Sequence, residues 1–179
     1  MSLAAPASND FPAPTPGVAG DLLEIRGLHI AFHSPGGKVH NAVFNLNLTL
    51  RRGETLGLVG ESGCGKTVTA LSTLRLLQEP PAEVRAKGIF FEGRDLLSLG
   101  RREIRAVRGK EIAMIFQEPM TALNPVLTIG YQIAEGILAH QSISKREARS
   151  MGIELLKKVG IPAPDDRFDE YPHQLSGGM

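Results

Sequence analysis

Residues 54–67 read ETLGLVGESGCGKT, a short apolar run that leads into a glycine-rich loop and ends in Lys-Thr. Residues 60–67 match G-x-x-x-x-G-K-[ST], the pattern of a phosphate-binding loop, or P-loop. Its glycines allow the backbone to curl with the N–H groups pointing inward, which forms a nest for phosphate oxygens at the start of a helix. The stretch therefore predicts a nucleotide-phosphate site.

Two side chains at the end of the loop fit the chemistry of such a site. Lys66 can reach the β- and γ-phosphates, and the Thr67 hydroxyl can take one coordination position on Mg²⁺. The alternative is a glycine-rich turn between a strand and a helix, without a ligand. The residues predicted to bind the nucleotide here are Gly60, Glu61, Ser62, Gly63, Cys64, Gly65, Lys66 and Thr67.

The segments that flank the loop predict the strand, loop and helix that the motif needs. Residues 56–59 predict a buried strand, and residues 68–77 predict a helix. The helix would carry its apolar residues on one face, namely Ala70, Leu71, Leu74 and Leu77.

The composition of the 179 residues, 42% hydrophobic and 22% charged, is ordinary for a globular chain. A formal net charge of +1 gives no long-range field to hold a polyanion, so we expect no nucleic-acid partner. No run approaches the roughly 20 apolar residues of a membrane helix, and no secretory signal is recognisable. The single cysteine, Cys64, excludes an internal disulfide and fits a reducing cytoplasm.

Composition also predicts how the N-terminal part is organised. Residues 1–20 are rich in Ala and Pro and predict a disordered leader. Apolar residues between 23 and 32 predict a strand with a bulge at Gly27, and the alternation of residues 44–50 predicts a second strand. Such antiparallel strands ahead of a parallel nucleotide-binding core imply a mixed sheet.

Beyond the P-loop helix, two more strands and a helix are predicted. Residues 88–91 predict a strand, and residues 101–108 predict a short basic helix with a solvated face. Residues 111–116 predict a second buried strand that delivers Gln117 at its C-terminal end, the edge at which open α/β sheets bind ligands.

Residues from about 119 to 174 predict an inserted helical subdomain. Isoleucines at i, i+4 spacing mark its first helix: Ile129, Ile133 and Ile137. Ser144 and Glu147 predict a capping box at the start of a second helix, which Gly160 ends. This helix would line one face with Met151, Leu155 and Val159.

Three elements stand in a fixed order: the P-loop, FQEP at residues 116–119 and LSGG at residues 175–178. Together they resemble the ATPase domain of ABC transporters. The segments FQEPMTALNPVLTIGYQIAE and EYPHQLSGGM look like the oligopeptide and dipeptide importer branch, which also includes glutathione and nickel importers. The resemblance covers roughly residues 22–179.

The resemblance implies an α/β fold of the P-loop NTPase type, in which residues 21–179 form a partial nucleotide-binding domain. This fold has a mixed sheet, an N-terminal antiparallel β subdomain and an inserted helical subdomain. Two such domains pair head to tail and hold each ATP between one P-loop and the other signature. The further partners implied are membrane permease subunits and, indirectly, an extracytoplasmic solute-binding protein, at the cytoplasmic face of the membrane. Residues 121–132 would face the permease.

The resemblance also assigns roles outside the P-loop. Phe32 matches the aromatic residue that stacks on adenine, although an ordinary core aromatic is an equal alternative. Gln117 matches the residue that meets Mg²⁺ and the attacking water, so that Lys66 and Gln117 would be catalytic and Thr67 and Gln117 would contact the metal. The signature residues that would meet the partner's γ-phosphate are Ser176, Gly177 and Gly178.

The chain departs from the family in two ways that bear on activity. Cys64 stands where the family most often has Ser, and the Asp, Glu and His that follow the signature in the family are missing here, as in a truncated frame. We therefore expect Mg-ATP binding without turnover at a typical rate. The leading hypothesis is the ATP-binding part of an importer of peptides or similar small solutes. The alternatives are a soluble ABC-type ATPase of DNA repair or translation, and a non-catalytic nucleotide-binding remnant.

Overall fold

A long strand, β1 (Asp21–His33), is the centre of the sheet in the computed structural model, which describes residues 20–116 and 122–179. It pairs with β2 on one side and with β3 and β4 on the other, and every pair is antiparallel. The remaining strands are β2 (Val39–Arg51), β3 (Ala82–Arg85), β4 (Gly88–Phe91) and β5 (Arg94–Asp95). The predicted leader, up to residue 19, and Gln117 lie outside the described residues.

The bulge predicted at Gly27 is confirmed. The register passes from Ile25 opposite Leu48 to Leu28 opposite Leu46, which places one extra residue in β1. Gly27 has a φ of 57°, and its N–H group donates to the side chain of Asn47 at 2.8 Å. The bulge keeps the core side chains of β1 on one face. The buried apolar residues of this sheet include Ile25, Leu28, Ile30, Ile89, Phe90 and Phe91.

The P-loop helix, α1 (Lys66–Thr73), is shorter than the predicted helix over residues 68–77. It ends in a Schellman arrangement, in which the N–H of Leu76 donates to Leu71 O at 2.9 Å and Arg75 has a φ of 51°. The predicted apolar face was wrong for Ala70, which is exposed. The buried residues of α1 are Thr69, Ser72 and Thr73.

Small hydroxyl residues can be buried on this face of α1 because their hydroxyl groups donate hydrogen bonds to backbone carbonyl groups of the preceding turn. Thr69 donates to Gly65 O at 2.9 Å, and Ser72 donates to Thr69 O at 2.7 Å. The hydroxyl of Thr73 also donates to Thr69 O, at 3.2 Å. A hydroxyl bonded to the carbonyl of the preceding turn is buried without an unsatisfied donor.

The predictions of a buried strand at residues 56–59 and of a second buried strand at residues 111–116 were wrong. Residues 56–59 are irregular and Val59 is 94% exposed. Residues 113–116 are also irregular, with Ile115 97% exposed, and only Ile112 makes an isolated bridge, to Arg108. A buried strand needs hydrogen-bonding neighbours, and within the described ranges neither run joins a ladder.

The described residues form two compact units, which divide between Arg105 and Ala106. The predicted basic helix is confirmed as α2 (Arg101–Val107). The described helices of the second unit include α3 (Ile129–His140), α4 (Lys145–Lys158) and α5 (Pro164–Asp169), which is followed by a 3₁₀ turn (Pro172–Gln174).

Both ends predicted for α4 are confirmed. Ser144 Oγ accepts from the N–H of Glu147 at 3.2 Å, and the Glu147 carboxylate accepts from the N–H of Ser144 at 2.8 Å. At the other end Gly160 has a φ of 81°, and Ile161 donates its N–H to Leu156 O at 3.0 Å. The capping box and the glycine cap each depend on residues that are close together in the chain, so both could be predicted from the sequence.

The core of the helical unit forms around the ring of Phe168. Ile129 and Leu156 are buried with it. A Cβ placed on Gly130 would overlap the ring, and one on Gly152 would lie 2.5 Å from it. The predicted face of α4 is therefore not the core face, since Met151, Leu155 and Val159 are exposed and Ala148, Gly152 and Leu156 are buried.

Candidate functional site: a phosphate-binding loop against the sheet

The P-loop reaches α1 through two glycines with left-handed backbone, Gly63 at a φ of 80° and Gly65 at a φ of 97°. Gly65 is the N-cap of α1. A Cβ at this position would lie 2.7 Å from Ala42 O and 2.9 Å from Val43 Cγ2. The loop therefore rests directly on β2, and only a residue without a side chain fits.

The ammonium group of Lys66 folds back over the loop. Its Nζ donates to Gly60 O at 2.7 Å and to Glu61 O at 2.6 Å, and lies 3.4 Å from Cys64 Sγ. A Cβ on Gly60 would lie 2.5 Å from the same sulfur. The loop is thus curled tightly, with its only cation held at the carbonyl oxygens.

The start of α1 fits an anionic ligand. Gly65 supplies no side-chain cap, and the first turn contains no acidic residue. The first N–H groups of a helix have no partner within the helix, and the helix dipole favours negative charge at this end. Thr67, in this first turn, is exposed, as are Ser62 and Cys64. A phosphate chain would meet Lys66, Thr67 and open backbone donors here.

Phe32 lies near the end of β1, opposite His40 of β2 and Ala82 of β3. It is half-buried. Two residues earlier in β1, Ile30 stands opposite Val43, the residue against which Gly65 packs. Because residues two apart in a strand share a face, Phe32 stands on the face of the sheet that carries the P-loop.

The opposite face of this strand end carries an ion pair. His33 Nε2 lies 2.9 Å from Glu83 Oε2, and Arg85 Nε donates to the same carboxylate at 2.6 Å. A hydrogen bond with His33, and to a smaller extent one from Arg85, holds the pKa of Glu83 below its ordinary value. The side chains of His33, Glu83 and Arg85 therefore interact with one another.

The signature residues lie in the helical unit. Leu175 packs against the Phe168 core, whereas Ser176, Gly177 and Gly178 are exposed. The N–H of Met179 donates to Ser176 O at 2.9 Å, which closes a turn. Of the predicted site residues, Phe32 and the P-loop both lie in the first unit, the signature lies in the second, and Gln117 is outside the described part of the chain.

Two parts of the site were not foreseen from the sequence. Ala42 and Val43 support Gly65, but no local motif marks them, since their role depends on which strand the loop packs against. In the helical unit, the amide of Gln132 accepts from Asn124 N at 2.8 Å and donates to Leu127 O at 3.0 Å. It holds the residues before α3, the stretch predicted to face a permease.

Residues 20–116 and 122–179 provide neither a metal-binding cluster nor a membrane-spanning helix. In these ranges no group of three or more His, Cys, Asp or Glu side chains could hold a metal ion. No helix described there is long and apolar enough to cross a bilayer.

A glycine-rich loop that leads into a helix with a lysine at its start is typical of nucleotide-phosphate sites of the P-loop type. The family model for the ABC transporter matches residues 43–179, which is more than half of the 179-residue chain. The chain therefore belongs to the ABC transporter family.

Curated relatives are similar over most of this chain. The oligopeptide transport ATP-binding protein OppD of Bacillus subtilis (strain 168) is 48% identical over 158 residues, which cover 88% of this chain and 44% of that protein. The dipeptide transport ATP-binding protein DppD of the same organism is also 48% identical over 158 residues, covering 88% and 47%. The chain spans about half the length of these relatives.

Among solved structures, the dimeric bacterial ABC transporter cassette MJ0796 is similar, with a TM-score of 0.66 and 22% identity. The match covers 87% of this chain and 64% of that one. This likeness confirms the predicted α/β fold of an ABC-type cassette.

Proposed function

We propose that this chain is the ATP-binding part of an ABC importer that couples ATP hydrolysis to the uptake of peptides or similar small solutes. The observation that carries the proposal is the P-loop itself: Gly65 set against β2, Lys66 at the loop carbonyls and an uncapped helix start. The solute class comes from the relatives, which are described as oligopeptide and dipeptide transport proteins at 48% identity.

The residues of this loop fit ATP and Mg²⁺. Lys66 would exchange two neutral carbonyl acceptors for phosphate oxygens, which are charged and accept stronger hydrogen bonds. The Thr67 hydroxyl, and by family analogy Gln117, would contact Mg²⁺, which supplies charge neutralisation of the phosphates. Glu61, Ser62 and Cys64 would surround the phosphates.

The remaining site residues would complete a composite site. Phe32 would stack on the adenine, which its place on the P-loop face supports. Ser176, Gly177 and Gly178 would meet the nucleotide of a second ATPase domain in a head-to-tail pair, which their exposure allows. We place residues 21–179 in a nucleotide-binding domain whose helical subdomain runs from about 119 to 174.

The proposed importer function implies which partners this chain would contact and where it would lie in the cell. The helical unit, including the stretch that Gln132 holds, would contact integral membrane permease subunits, and a solute-binding protein would act indirectly from outside. The protein would lie at the cytoplasmic face of the membrane. The names of the relatives favour this over a soluble ATPase of DNA repair or translation.

The polypeptide of residues 1–179 alone would bind nucleotide without turning it over at a rate typical of the family. Hydrolysis needs a second Mg²⁺ ligand at a strand end and a positioned water. Acidic residues of the helical unit, Asp169 and Glu170, are engaged instead by Arg149 and Arg167.

Uptake of a labelled oligopeptide by cells of the source organism tests the importer function. A chromosomal Lys66→Ala replacement should abolish uptake, whereas Lys38→Ala, a cation in an exposed turn, should leave it intact. Normal peptide uptake in the Lys66→Ala strain would refute the transport proposal, and a DNA-repair or translation defect in that strain would favour the soluble alternative.

A further inference from the structure

His40 is the polar neighbour of Phe32 on the sheet. The two residues are directly opposite in the antiparallel pair of β1 and β2. Residues opposite each other in such a pair project to the same face, with Cβ atoms about 4.5–5.5 Å apart. His40 therefore stands beside Phe32 on the face that carries the P-loop.

The two flanks of Phe32 differ in chemistry. On the β3 side its partner is Ala82, which is 5% exposed and offers a methyl group. On the β2 side its partner is His40, which is exposed. A flat ring stacked on Phe32 would thus meet an apolar wall on one side and an imidazole on the other.

The same strand also supports the phosphate end of the site. Ala42 and Val43, the second and third residues after His40, are those against which Gly65 packs. Residues 40–43 of β2, where the register with β1 shifts by one residue, therefore connect the P-loop support to the side of Phe32. A nucleotide bound at both ends would lie along this segment.

We propose that His40 contacts the base of the bound nucleotide, donating to or accepting from the edge of the purine that stacks on Phe32. A neutral imidazole has one donor and one acceptor nitrogen, and the edge of adenine presents both kinds of group. The inference rests on the proposed ATP site and adds a residue that contacts the base.

Calorimetric titration of the 179-residue chain with Mg-ATP and with magnesium inorganic triphosphate tests this, because the second ligand has no base. His40→Ala should raise the Kd for ATP about threefold to tenfold, the worth of one hydrogen bond. The Kd for triphosphate should stay within about a factor of two of the parent, within the scatter expected of a surface change. His40→Gln, which keeps a donor and an acceptor, should recover most of the ATP affinity.

Further variants make the result specific. His33→Ala removes a neighbouring histidine on the opposite face, where it pairs with Glu83, and should leave both affinities unchanged. In Phe32→Ala the base loses its platform, so adding His40→Ala should then have little effect. His40→Val, which suits a strand, replaces His40→Ala if circular dichroism shows that the alanine variant is unfolded.

The outcomes separate the two proposals. If the parent binds ATP and the His40 variants bind it equally well, the base contact is refuted and the ATP site stands. Equal weakening of ATP and triphosphate would also refute the base contact, since the effect would then be on the loop. If the parent binds neither ligand, the ATP site and the base contact are both refuted.

Discussion

Lys66 Nζ lies 2.7 Å from the carbonyl oxygen of Gly60, so the P-loop is closed by its own lysine. A second carbonyl, that of Glu61, accepts from the same ammonium at 2.6 Å. Both acceptors are neutral backbone groups on an exposed loop. Because a phosphate oxygen is a stronger acceptor for an ammonium, nucleotide binding would redirect this side chain.

Lys66→Ala should therefore weaken Mg-ATP binding. A hydrogen bond to a charged partner contributes about 1.5–3 kcal/mol, so the Kd should rise tenfold or more. Calorimetry measures the change, with Lys38→Ala as the control lysine. Equal ATP affinity of a folded Lys66→Ala variant and the parent would show that the loop does not bind phosphate through this residue.

Cys64 should be alkylated more slowly when nucleotide is bound. Its sulfur is exposed and lies 3.4 Å from Lys66 Nζ, inside the loop that phosphates would occupy. Since the chain has a single cysteine, the rate of iodoacetamide labelling reports on this position alone. Mg-ATP at a concentration close to the parental Kd should slow labelling of the parent and should slow labelling of Lys66→Ala much less. An identical parental rate with and without Mg-ATP contradicts the prediction.

Gly65→Ala should destabilise the first unit. The backbone at Gly65 has a φ of 97°, and the added methyl would meet Ala42 O at 2.7 Å. Backbone strain of this kind costs on the order of 1–3 kcal/mol, before the overlap is counted. Urea unfolding measures the loss. Gly57→Ala is the matched control, because its Cβ would have no neighbour within 4 Å. Equal stability of the two variants would mean that the loop does not rest on β2.

The stability of the helical unit should depend on pH through Asp169. Arg149 donates to both carboxylate oxygens at 2.7 Å, and these hydrogen bonds hold the pKa of Asp169 below its ordinary value. A lowered folded-state pKa means that stability is present above the ordinary pKa and is lost as the pH falls through the lowered one. Thermal unfolding should show a small deficit for Asp169→Asn at pH 7 that vanishes in strong acid.

Glu135→Gln is the control for that experiment, since Glu135 is exposed in the middle of α3. Its unfolding curve should follow the parent at both pH values. A deficit for Asp169→Asn that persists unchanged in strong acid would show that the carboxylate acts through packing and not through its charge.

Phosphate release by residues 1–179 should be no faster than release by the same chain carrying Lys66→Ala. The reason is chemical: P-loop enzymes place a second Mg²⁺ ligand at a strand end, and residues 20–116 and 122–179 contain no group of three or more His, Cys, Asp or Glu side chains that could hold a metal ion. The cassette MJ0796, which has been solved in a post-hydrolysis state bound to ADP and Pi, provides the positive control. Turnover by the 179-residue chain at a similar, Lys66-dependent rate would show that the catalytic groups lie elsewhere.

Features decided by neighbours along the chain could be predicted from the sequence. The capping box of Ser144 and Glu147 and the Gly160 end of α4 depend on residues within a few positions of each other, and the bulge in β1 was marked by Gly27 itself. The P-loop motif belongs to the same class. Its glycines were assigned by type, and the positive φ of Gly63 and Gly65 agrees.

Features that depend on residues distant along the chain could not be predicted from the sequence. Leu58 and Ile115 have the apolar character of buried strand residues and are exposed, because burial requires strands on either side that the periodicity of one segment does not specify. The burial of Thr69 and Ser72 in α1 likewise could not be predicted, because the helical period of one segment does not specify which of its faces is covered. The role of Ala42 in supporting Gly65 depends on which strand the P-loop packs against, and no motif around Ala42 specifies this.

Leu175 and Ser176 are adjacent, yet one belongs to the Phe168 core and the other is exposed to solvent. The glycines at 130 and 152 leave the Phe168 ring no free space beside α3 and α4, so the ring, both helices and Leu175 form one tightly packed body. Because Leu175 packs against this core, we expect a tilt of α3 or α4 to displace Leu175 and, with it, the peptide that begins at Ser176.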